Sequence, residues 1–359
     1  MPDWTKPFES SWRWVRVSRS TGYETEQLGN LTTGSLSINS NTTVFESASV
    51  DCIGMLDVGH DFVRCYLEAR WDDGTTESVC MGTWLANVPS RDVYGSYEEC
   101  TVRLDGRLIE LDEDSFENIV TVAKGQDPVA YAKSVCEASG LTVLQLDSYS
   151  GTLGSTWRFG LEGMSMDEDY IGSKLKAVNS LLREAAFRSA ETDAYGNVLF
   201  RKRIDYDSPP VWAFKEGLNA TFLSAATDER DVTEIANKVI TVYETEEATT
   251  IGIATDTDPA SPWSTVSLGR VRCKVYNYDT TATQAKANDR AARLLDEQQS
   301  VTRRVTISHV YCPVRVGDIV SIDYPSARIS GKFAIRTQEI ELGGAGCLTK
   351  SELRRFERA

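Results

Sequence analysis

Apolar residues recur at every second position in parts of the first and last thirds of the chain. Along residues 270–276, Val271, Cys273 and Val275 alternate strictly with basic residues, so one face of this segment is apolar and the other is charged. A period of two is the spacing of side chains on one face of a β-strand. Residues 12–17 mix aromatic, β-branched and charged side chains, which is typical of a half-buried sheet. These patterns favour a fold built largely from β-sheet.

Asp-Gly dipeptides indicate turns in the first third of the chain. Asp73-Gly74 separates two strand-like segments, and this dipeptide is a strong signal for a β-hairpin. Asp105-Gly106 stands between residues 100–104 and 107–111, which we expect to form two further strands. We therefore expect an antiparallel β domain with short connections over residues 1–118.

The middle of the chain changes to a helical period. Asp127 is a typical N-cap residue, Pro128 suits the first helical position, and Gly140 suits the end of the helix. A second helix is predicted over residues 169–189, because its apolar residues step by four and three positions. Its expected buried stripe consists of Ile171, Leu175, Val178, Leu182 and Ala185. A third helix is predicted over residues 283–299.

These periods together predict a mainly β protein with an α+β middle. The expected segments are a first β domain at residues 1–118, a mixed α/β domain at 119–233, a second β domain with one helix at 234–345, and a basic tail at 346–359. In the last β segment the alternation changes phase between Ile335 and Ile340, which suggests a bulge or an edge.

The charge of the chain restricts its partners. It has 53 acidic and 38 basic residues, a net charge of −15 and a pI near 4.8. Tight wrapping of nucleic acid depends on Lys and Arg contacts to phosphates, and this composition argues against it. A channel through which DNA slides without adhering is compatible with it. We expect neither a signal peptide nor a membrane helix, because the required apolar runs are missing from the sequence.

Cysteine and histidine usage limits the chemistry. None of the eight cysteines forms a C-x-x-C pair, so we expect buried reduced thiols, with disulfides as the alternative. The absence of a signal peptide favours folding in a reducing cytoplasm. A Ser–His–Asp site would need His60 or His309, and neither a nucleophile elbow nor a phosphate loop occurs. We predict no catalytic residue, metal site or cofactor.

Residues 92–118 form the most acidic part of the sequence. They hold nine acidic residues and two arginines, a net charge of −7. One interpretation is a solvated face, and the other is the wall of a channel that repels a polyanion. The candidate channel-lining acids are Glu98, Glu99, Asp112, Glu113 and Asp114. The basic residues near the C-terminus could instead dock on an acidic neighbour.

An ordered series of short motifs runs through the C-terminal half. Residues 314–322 read Val-Arg-Val-Gly-Asp-Ile-Val-Ser-Ile, and Gly331 precedes a last strand; upstream, residues 228–231 lead to Asn237, and residues 261–265 precede Arg270. Over about residues 170–345 this series resembles the late-control-D-like family of baseplate hub proteins in tailed bacteriophages. The motif positions that carry the resemblance are Gly317, Asp318, Val320, Gly331, Asn237 and Arg270.

The resemblance implies a structural, non-enzymatic protein of the virion. It implies two tail-tube-like β-barrel domains flanking a smaller mixed α/β domain. It also implies a homotrimer whose six barrels adapt a six-fold tail tube to a three-fold tip or spike at the tail tip or baseplate, assembled in the host cytoplasm. The implied partners are distal tail or tail-tube ring proteins, a tip or spike protein and the tape-measure protein. DNA would pass through the ring without sequence-specific binding.

A second function stays open at the level of the sequence. Exposed aromatic residues and many carboxylates are also typical of proteins that bind or hydrolyse glycans, and the chain has 8 Trp, 14 Tyr and 53 acidic residues. The two hypotheses differ in what they require of the structure. Paired Asp or Glu residues whose substitution abolishes turnover of a saccharide would favour the glycan protein. A ring whose lumen is lined by acids, with no cleft that holds two carboxylates at catalytic separation, would favour the hub.

Overall fold

The computed structural model describes residues 2–95, 97–160, 172–230, 235–244, 249–278, 283–298, 300–343 and 347–358. Over these residues the chain is mainly β, as predicted. The strands of the first third are β1 (Glu9–Val17), β2 (Glu24–Gln27), β3 (Leu31–Asn39), β4 (Glu46–Ile53), β5 (Phe62–Arg70), β6 (Thr76–Tyr94), β7 (Tyr97–Gly106) and β8 (Val120–Val122). Those of the middle are β9 (Val143–Gln145), β10 (Trp157–Phe159), β11 (Glu191–Thr192), β12 (Val198–Phe200), β13 (Trp212–Lys215) and β14 (Phe222–Arg230).

The last third contributes further strands, and helices are spread along the chain. The strands are β15 (Lys238–Glu244), β16 (Thr249–Thr255), β17 (Cys273–Tyr278), β18 (Ser300–Val310), β19 (Ile319–Tyr324), β20 (Ile329–Leu342) and β21 (Leu348–Arg358). The helices are α1 (Ile109–Asp112), α2 (Pro128–Ala138), α3 (Lys174–Glu184), α4 (Thr265–Leu268) and α5 (Gln284–Gln298), with a 3-10 turn at Pro325–Ala327.

The chain divides into two compact units. Unit 1 comprises Met1–Ala225 and Ile307–Leu353, and unit 2 comprises Ala226–Thr306 and Arg354–Ala359. The chain passes between the units within β14, β18 and β21, so each of these strands contributes to both. The division at residues 118, 233 and 345 stays a prediction. Most of the expected basic tail lies in β21, where Leu353 is fully buried.

Unit 1 is built around a sheet that includes the antiparallel run β20-β3-β4-β7-β6-β5-β1-β2, and the strand order continues beyond β20 to β21, β18 and β14. The predicted hairpin is confirmed: Gly74 has a φ of +83°, which favours glycine, and joins β5 to β6. Along β4, Ala48, Val50 and Cys52 are buried and the residues between them are exposed. This alternation places the core of the unit on one face of the sheet.

The predicted phase change in the last strand has a topological cause. Residues of β20 up to Ala334 pair with β19, and those from Thr337 onward pair with β3. Each partner covers a different part of β20, so the burial pattern shifts between the two. The strand is thus shared by two neighbours in succession.

The first helix of the middle segment has the predicted caps. The Asp127 side chain accepts hydrogen bonds from the backbone N–H groups of Val129 and Ala130, at 2.8 and 3.1 Å. Pro128 occupies the first helical position, and Gly140 has a φ of +80° just beyond the end of α2. These contacts satisfy donors that a helix N-terminus otherwise leaves unpaired.

The second helix is shorter than predicted. Helix α3 begins after Ser173, and the predicted start at 169, including Ile171, lies outside the described residues. The predicted extension to 189 is wrong, because Ala186 has a φ of +61° and ends the helical path. The remaining stripe is confirmed, since Leu175, Val178, Leu182 and Ala185 are all buried.

The strand expected at residues 107–111 is wrong. Strand β7 continues to Gly106, and the chain then turns into helix α1. Leu108 and Leu111 are both fully buried, three residues apart, which is a helical spacing. Arg107 also pairs with Glu110 at 3.0 Å across one turn. Apolar residues three apart thus decide the local structure here.

Unit 2 contains a three-stranded sheet with α5 on one face. Strand β15 is central, with β16 antiparallel and β17 parallel to it. The predicted third helix is confirmed: Ala291 and Leu294 of α5 pack against Val239. The Thr241 hydroxyl donates to the carbonyl of Ala287 at 3.0 Å, which holds the helix close to the sheet. Of the helices in the described part of the chain, none has the length and apolar character of a membrane span.

The expected pair of closed barrels is not confirmed. In the described residues, the paired strands run from β14 through β18, β21 and β20 to β2 without closing on themselves, and the order β16-β15-β17 is open as well. Each unit therefore presents sheet edges, and an open edge carries backbone donors and acceptors available for pairing.

His309 lies in the core of unit 1 and is fully buried. Its Nε2 lies 2.9 Å from the Ser351 hydroxyl, its Nδ1 lies 2.8 Å from the carbonyl of Val310, and its ring packs against Phe214. Burial lowers the pKa of His309 from 6.5 to about 4. The folded protein therefore holds this imidazole neutral where the unfolded chain protonates it.

We predict that acid destabilises the wild type more than the variant His309→Gln. Because the folded-state pKa is depressed, the stability tied to His309 is present above about pH 6.5 and is lost as the pH falls toward 4. Between pH 7.5 and 5.0 the wild type should lose about 2 kcal/mol more than the variant in urea unfolding. The control is His60→Gln at the exposed histidine, which should keep the wild-type pH dependence. Equal losses in wild type and His309→Gln would contradict a buried neutral imidazole.

Candidate functional site

The Gly317-Asp318 motif forms a tight turn between β18 and β19. Gly317 has a φ of +93°, and its N–H donates to the carbonyl of Ile335 at 2.8 Å. A carboxylate oxygen of Asp318 accepts from the N–H of Arg315 at 2.8 Å, which closes the turn. Val320 follows in β19 and is fully buried. The motif therefore orients β19 against β20.

A guanidinium group fills the space beside this turn. A Cβ atom at Gly317 would collide with the side chain of Arg188. Arg188 pairs with the buried Glu191 at 2.9 Å and donates to the carbonyl of Lys202 at 3.1 Å. Burial raises the pKa of Glu191, and the charge of Arg188 opposes that rise. Glycine is thus required at 317 for its conformation and for its lack of a side chain.

Gly331 has a structural position as well. It lies in β20 opposite Ile322 of β19, with a φ of +126° that other residues rarely adopt. Next to it, Lys332 donates to the carbonyls of Asp207 and Ser208, both at 3.0 Å. Gly331 thus sets the backbone path of β20, the strand that pairs with β19 after the turn at Gly317.

Asn237 organises unit 2 through its buried side-chain amide. Its Nδ2 donates to the carbonyls of Trp263 and Arg270 at 3.1 and 3.0 Å, and its Oδ1 accepts from the N–H of Arg272 at 2.7 Å. The side chain is fully buried, and all of these partners are backbone groups. Asn237 therefore joins the start of β15 to the loop that carries α4. Arg270 contributes its carbonyl to this junction.

The sheet of unit 2 leaves its second face open to solvent. Ile240 lies between Ile253 and Val275 in the register, and Val242 lies beside Ile251. We call these five residues the unit 2 outer face. Ile251, Ile253 and Val275 are 46%, 53% and 56% exposed, and the other two are half-buried. Helix α5 covers the opposite face, so this aliphatic surface has no cover within the described chain.

The candidate channel acids fall into two groups. Asp112 accepts a hydrogen bond from the Ser173 hydroxyl at 3.2 Å, and Asp114 forms an ion pair with Lys174. These two acids thus hold the N-terminus of α3, where negative charge is favourable. Glu113 is exposed at the C-terminal end of α1.

The other two acids lie at the end of the unit 1 sheet. Glu98 and Glu99 belong to β7, and Glu99 lines a surface pocket of about 400 Å³ together with Asp51 and Asp92. Two cysteines, Cys52 and Cys100, also line this pocket. The structure thus places carboxylates and thiols together at one end of the sheet. In the described part of the chain, no three His, Cys, Asp or Glu side chains are arranged to hold a metal ion.

One buried carboxyl has no counterpart in the sequence-based hypotheses. Glu46 begins β4 and is 4% exposed, and its Oε1 has no hydrogen-bond partner among the described residues. Burial raises the pKa of Glu46 to about 8, and the charge of Arg315 partly opposes this rise. Glu46 occupies an inward position of an alternating strand, and sequence reasoning assigns such polar residues to the solvent face.

The expectation of exposed aromatic residues is wrong for the tryptophans, whereas Tyr23, Tyr94 and Tyr195 are 75%, 63% and 53% exposed. Trp4, Trp14, Trp71 and Trp84 are buried, and the other four tryptophans are half-buried. Trp4 packs edge-to-face on Trp71 and on Tyr311, with centroid distances of 4.9 and 5.2 Å. These large rings contribute to the core of the protein and do not form a row of exposed stacking platforms.

Comparison with solved structures shows which proteins share this fold. A tail protein from Neisseria meningitidis MC58 has 13% identity and a TM-score of 0.64, with 96% of each chain covered. The 43 kDa tail protein of prophage MuSo2 from Shewanella oneidensis has 11% identity and a TM-score of 0.63, covering 96% of this chain and 98% of that one. A Francisella PdpA-VgrG complex has 7% identity and a TM-score of 0.56, covering 97% of this chain and 58% of that one.

The chain thus has the fold of phage tail proteins over nearly its whole length. No protein-family model matches the sequence, and no curated protein matches it either. The late-control-D-like family is therefore not confirmed, although the fold is shared with solved phage tail proteins.

We predict that Gly317→Ala destabilises unit 1 more than Gly22→Ala. Both glycines have a positive φ, but a Cβ at Gly22 meets no atom within 4 Å, whereas at Gly317 it displaces Arg188 from its ion pair. The expected losses in urea unfolding are about 1 kcal/mol for Gly22→Ala and about 3 kcal/mol for Gly317→Ala. Losses of the same size at both positions would contradict the packing role of Gly317.

Proposed function

We propose that the chain is a structural hub protein at the distal end of a phage tail or a related injection machine, and that three copies form a ring. In this proposal each copy supplies two tube-like β units, so three copies present six units around one axis. The ring would adapt a six-fold tube to a three-fold tip or spike. The fold shared with solved tail proteins supports the tail assignment.

The unit 2 outer face is the observation that carries the assembly part of the proposal. Five β-branched side chains form one contiguous row on a sheet whose other face is already covered. Contiguous exposed apolar surface is typical of protein–protein contacts. Completing the burial of these side chains would contribute on the order of 5 kcal/mol per copy. An identical copy is the proposed occupant, because a closed ring buries the same surface on every subunit.

The charge of the chain suits passage of DNA through such a ring. A net charge of −15 repels a polyanion and prevents it from adhering to the wall. The candidate lining acids are Glu98, Glu99, Asp112, Glu113 and Asp114, of which Asp112 and Asp114 also hold the N-terminus of α3. The proposed partners are tail-tube ring proteins, a tip or spike protein and the tape-measure protein, with the ring located in the virion.

The glycan hypothesis has less support from the structure. It depended on exposed aromatic residues, but all eight tryptophans are buried or half-buried, and the exposed Tyr23, Tyr94 and Tyr195 do not line the pocket beside Glu99. The pocket beside Glu99 contains carboxylates, but its lining includes no aromatic residue. Saccharide binding usually needs aromatic side chains that expose a ring face, so the hub function is the better supported of the two.

We predict that Ile253→Glu disrupts self-assembly and that Val266→Glu does not. Val266 lies in α4 of the same unit and is 60% exposed, which matches the 53% of Ile253, but it lies outside the outer face. At 10 µM the wild type and Val266→Glu should sediment near 119 kDa, three times the chain mass of 39.8 kDa. Ile253→Glu should sediment near the mass of one chain, because a carboxylate is costly to bury at an interface.

Circular dichroism would establish that both variants are folded. A wild type that stays at the mass of one chain at this concentration would overturn the ring proposal. If Val266→Glu lost assembly to the same extent as Ile253→Glu, the unit 2 outer face would not be the surface responsible for assembly.

A further inference from the structure

Two cysteines lie directly opposite each other at the acidic end of the unit 1 sheet. Cys52 of β4 and Cys100 of β7 are paired in the antiparallel register. Both side chains are buried, and both lie on the inward face of the sheet. Beyond them the pairing continues for one more position, Ile53 with Glu99. The two thiols thus form the last buried pair between these strands.

Hydrogen bonds direct both sulfur atoms to the same point. The thiols of Cys52 and Cys100 donate to the carbonyl oxygen of Gly54, at 3.6 and 3.5 Å. The side-chain amide of Asn30 donates to the sulfur of Cys52 at 3.2 Å. Gly54 has a φ of +79° and donates its N–H to the carbonyl of Glu98, so the turn folds back over the pair.

This placement suits a disulfide bond. Residues directly opposite in antiparallel strands have Cα atoms about 4.5–5.5 Å apart. Disulfides span Cα distances of about 4.4–6.8 Å. A bond between Cys52 and Cys100 therefore requires rotation of two side chains and leaves the strand register in place.

A small reagent can reach the pair. Cys52 and Cys100 both line the surface pocket of about 400 Å³ that also holds Asp51, Asp92 and Glu99. These carboxylates favour a cationic reagent over an anionic one. The other buried cysteines contrast with this pair. For example, Cys65 and Cys80 lie on neighbouring strands, but their register partners are Gly82 and Tyr66.

We propose that Cys52 and Cys100 are a redox-convertible pair, a dithiol in a reducing cytoplasm and a disulfide in an oxidising medium. The oxidant is a small-molecule disulfide. One protein thiolate attacks it and releases one small thiol, and the second protein thiolate then displaces the other. The protein gains one S–S bond and loses two hydrogen atoms, and these appear on the two released thiols.

The consequence is a covalent link between β4 and β7 beside the acidic pocket. The proposed function bears only on when this disulfide would form. A virion leaves the reducing cytoplasm of its host when the cell lyses, and oxidation would follow that step. Burial and the neighbouring Cys100 thiol raise the pKa of Cys52, so conversion is slow at neutral pH and faster in alkaline solution.

The test uses the reduced full-length chain and cystamine, a cationic disulfide, at pH 9. After alkylation and tryptic digestion without reductant, residues 20–64 and 92–103 should appear as one cross-linked species. Each of these peptides contains a single cysteine, Cys52 or Cys100, so the assignment is unambiguous. Reduction should release both peptides. Oxidised glutathione, which is anionic, should react several-fold more slowly.

Exposed Cys273 is the internal control for reagent activity, and it should carry a stable cystamine adduct. In Cys52→Ser, the peptide 92–103 should retain a cystamine adduct, because no second thiol is present to displace it. The proposal is overturned if Cys273 is fully modified while Cys52 and Cys100 stay reduced or carry separate adducts. This outcome would leave the ring proposal untouched, since the readout is a bond within one chain. A single-chain mass in the assembly test would likewise leave the cysteine pair untouched.

Discussion

A β-sheet has two faces, and the sheet of unit 2 has a cover for one of them. Helix α5 packs on Val239 and its neighbours, and the side-chain amide of Asn237 fixes the loop between β16 and β17 that carries α4. The row of aliphatic side chains from Ile253 through Ile240 to Val275 stays in contact with water. The free-energy cost of exposing these side chains to water is the physical basis for the proposed assembly of identical chains. The fold shared with solved tail proteins is the reason for proposing a tail as the place of assembly.

The sequence predicts the elements whose signals are local. The caps of α2, the hairpin at Gly74 and the helix α5 each depend on residues within a few positions of one another, and all are confirmed. Even the phase change between Ile335 and Ile340 is a local signal, although its cause is an exchange of strand partners. Residues 107–111 are the exception, because a short apolar segment does not distinguish a strand from a helix by its pattern.

The sequence does not predict features that depend on distant residues. The alternation of Val271, Cys273 and Val275 predicts a strand, but it does not show that Val275 faces solvent. Likewise, nothing near Glu46 indicates that its carboxyl is buried beside Arg315, far along the chain. The resemblance singles out the motif glycines, but it does not show that the side chain of Arg188 leaves no room for a Cβ atom at position 317. For Glu46 and Gly317 the deciding partner lies more than a hundred residues away along the chain.

The most direct measurement of the central claim is a cryo-electron microscopy reconstruction of the purified protein. The account predicts a three-fold ring in which Ile251, Ile253 and Val275 of each copy are covered by a neighbouring copy. A ring in which these three side chains remain in solvent would contradict it, as would particles that contain one copy.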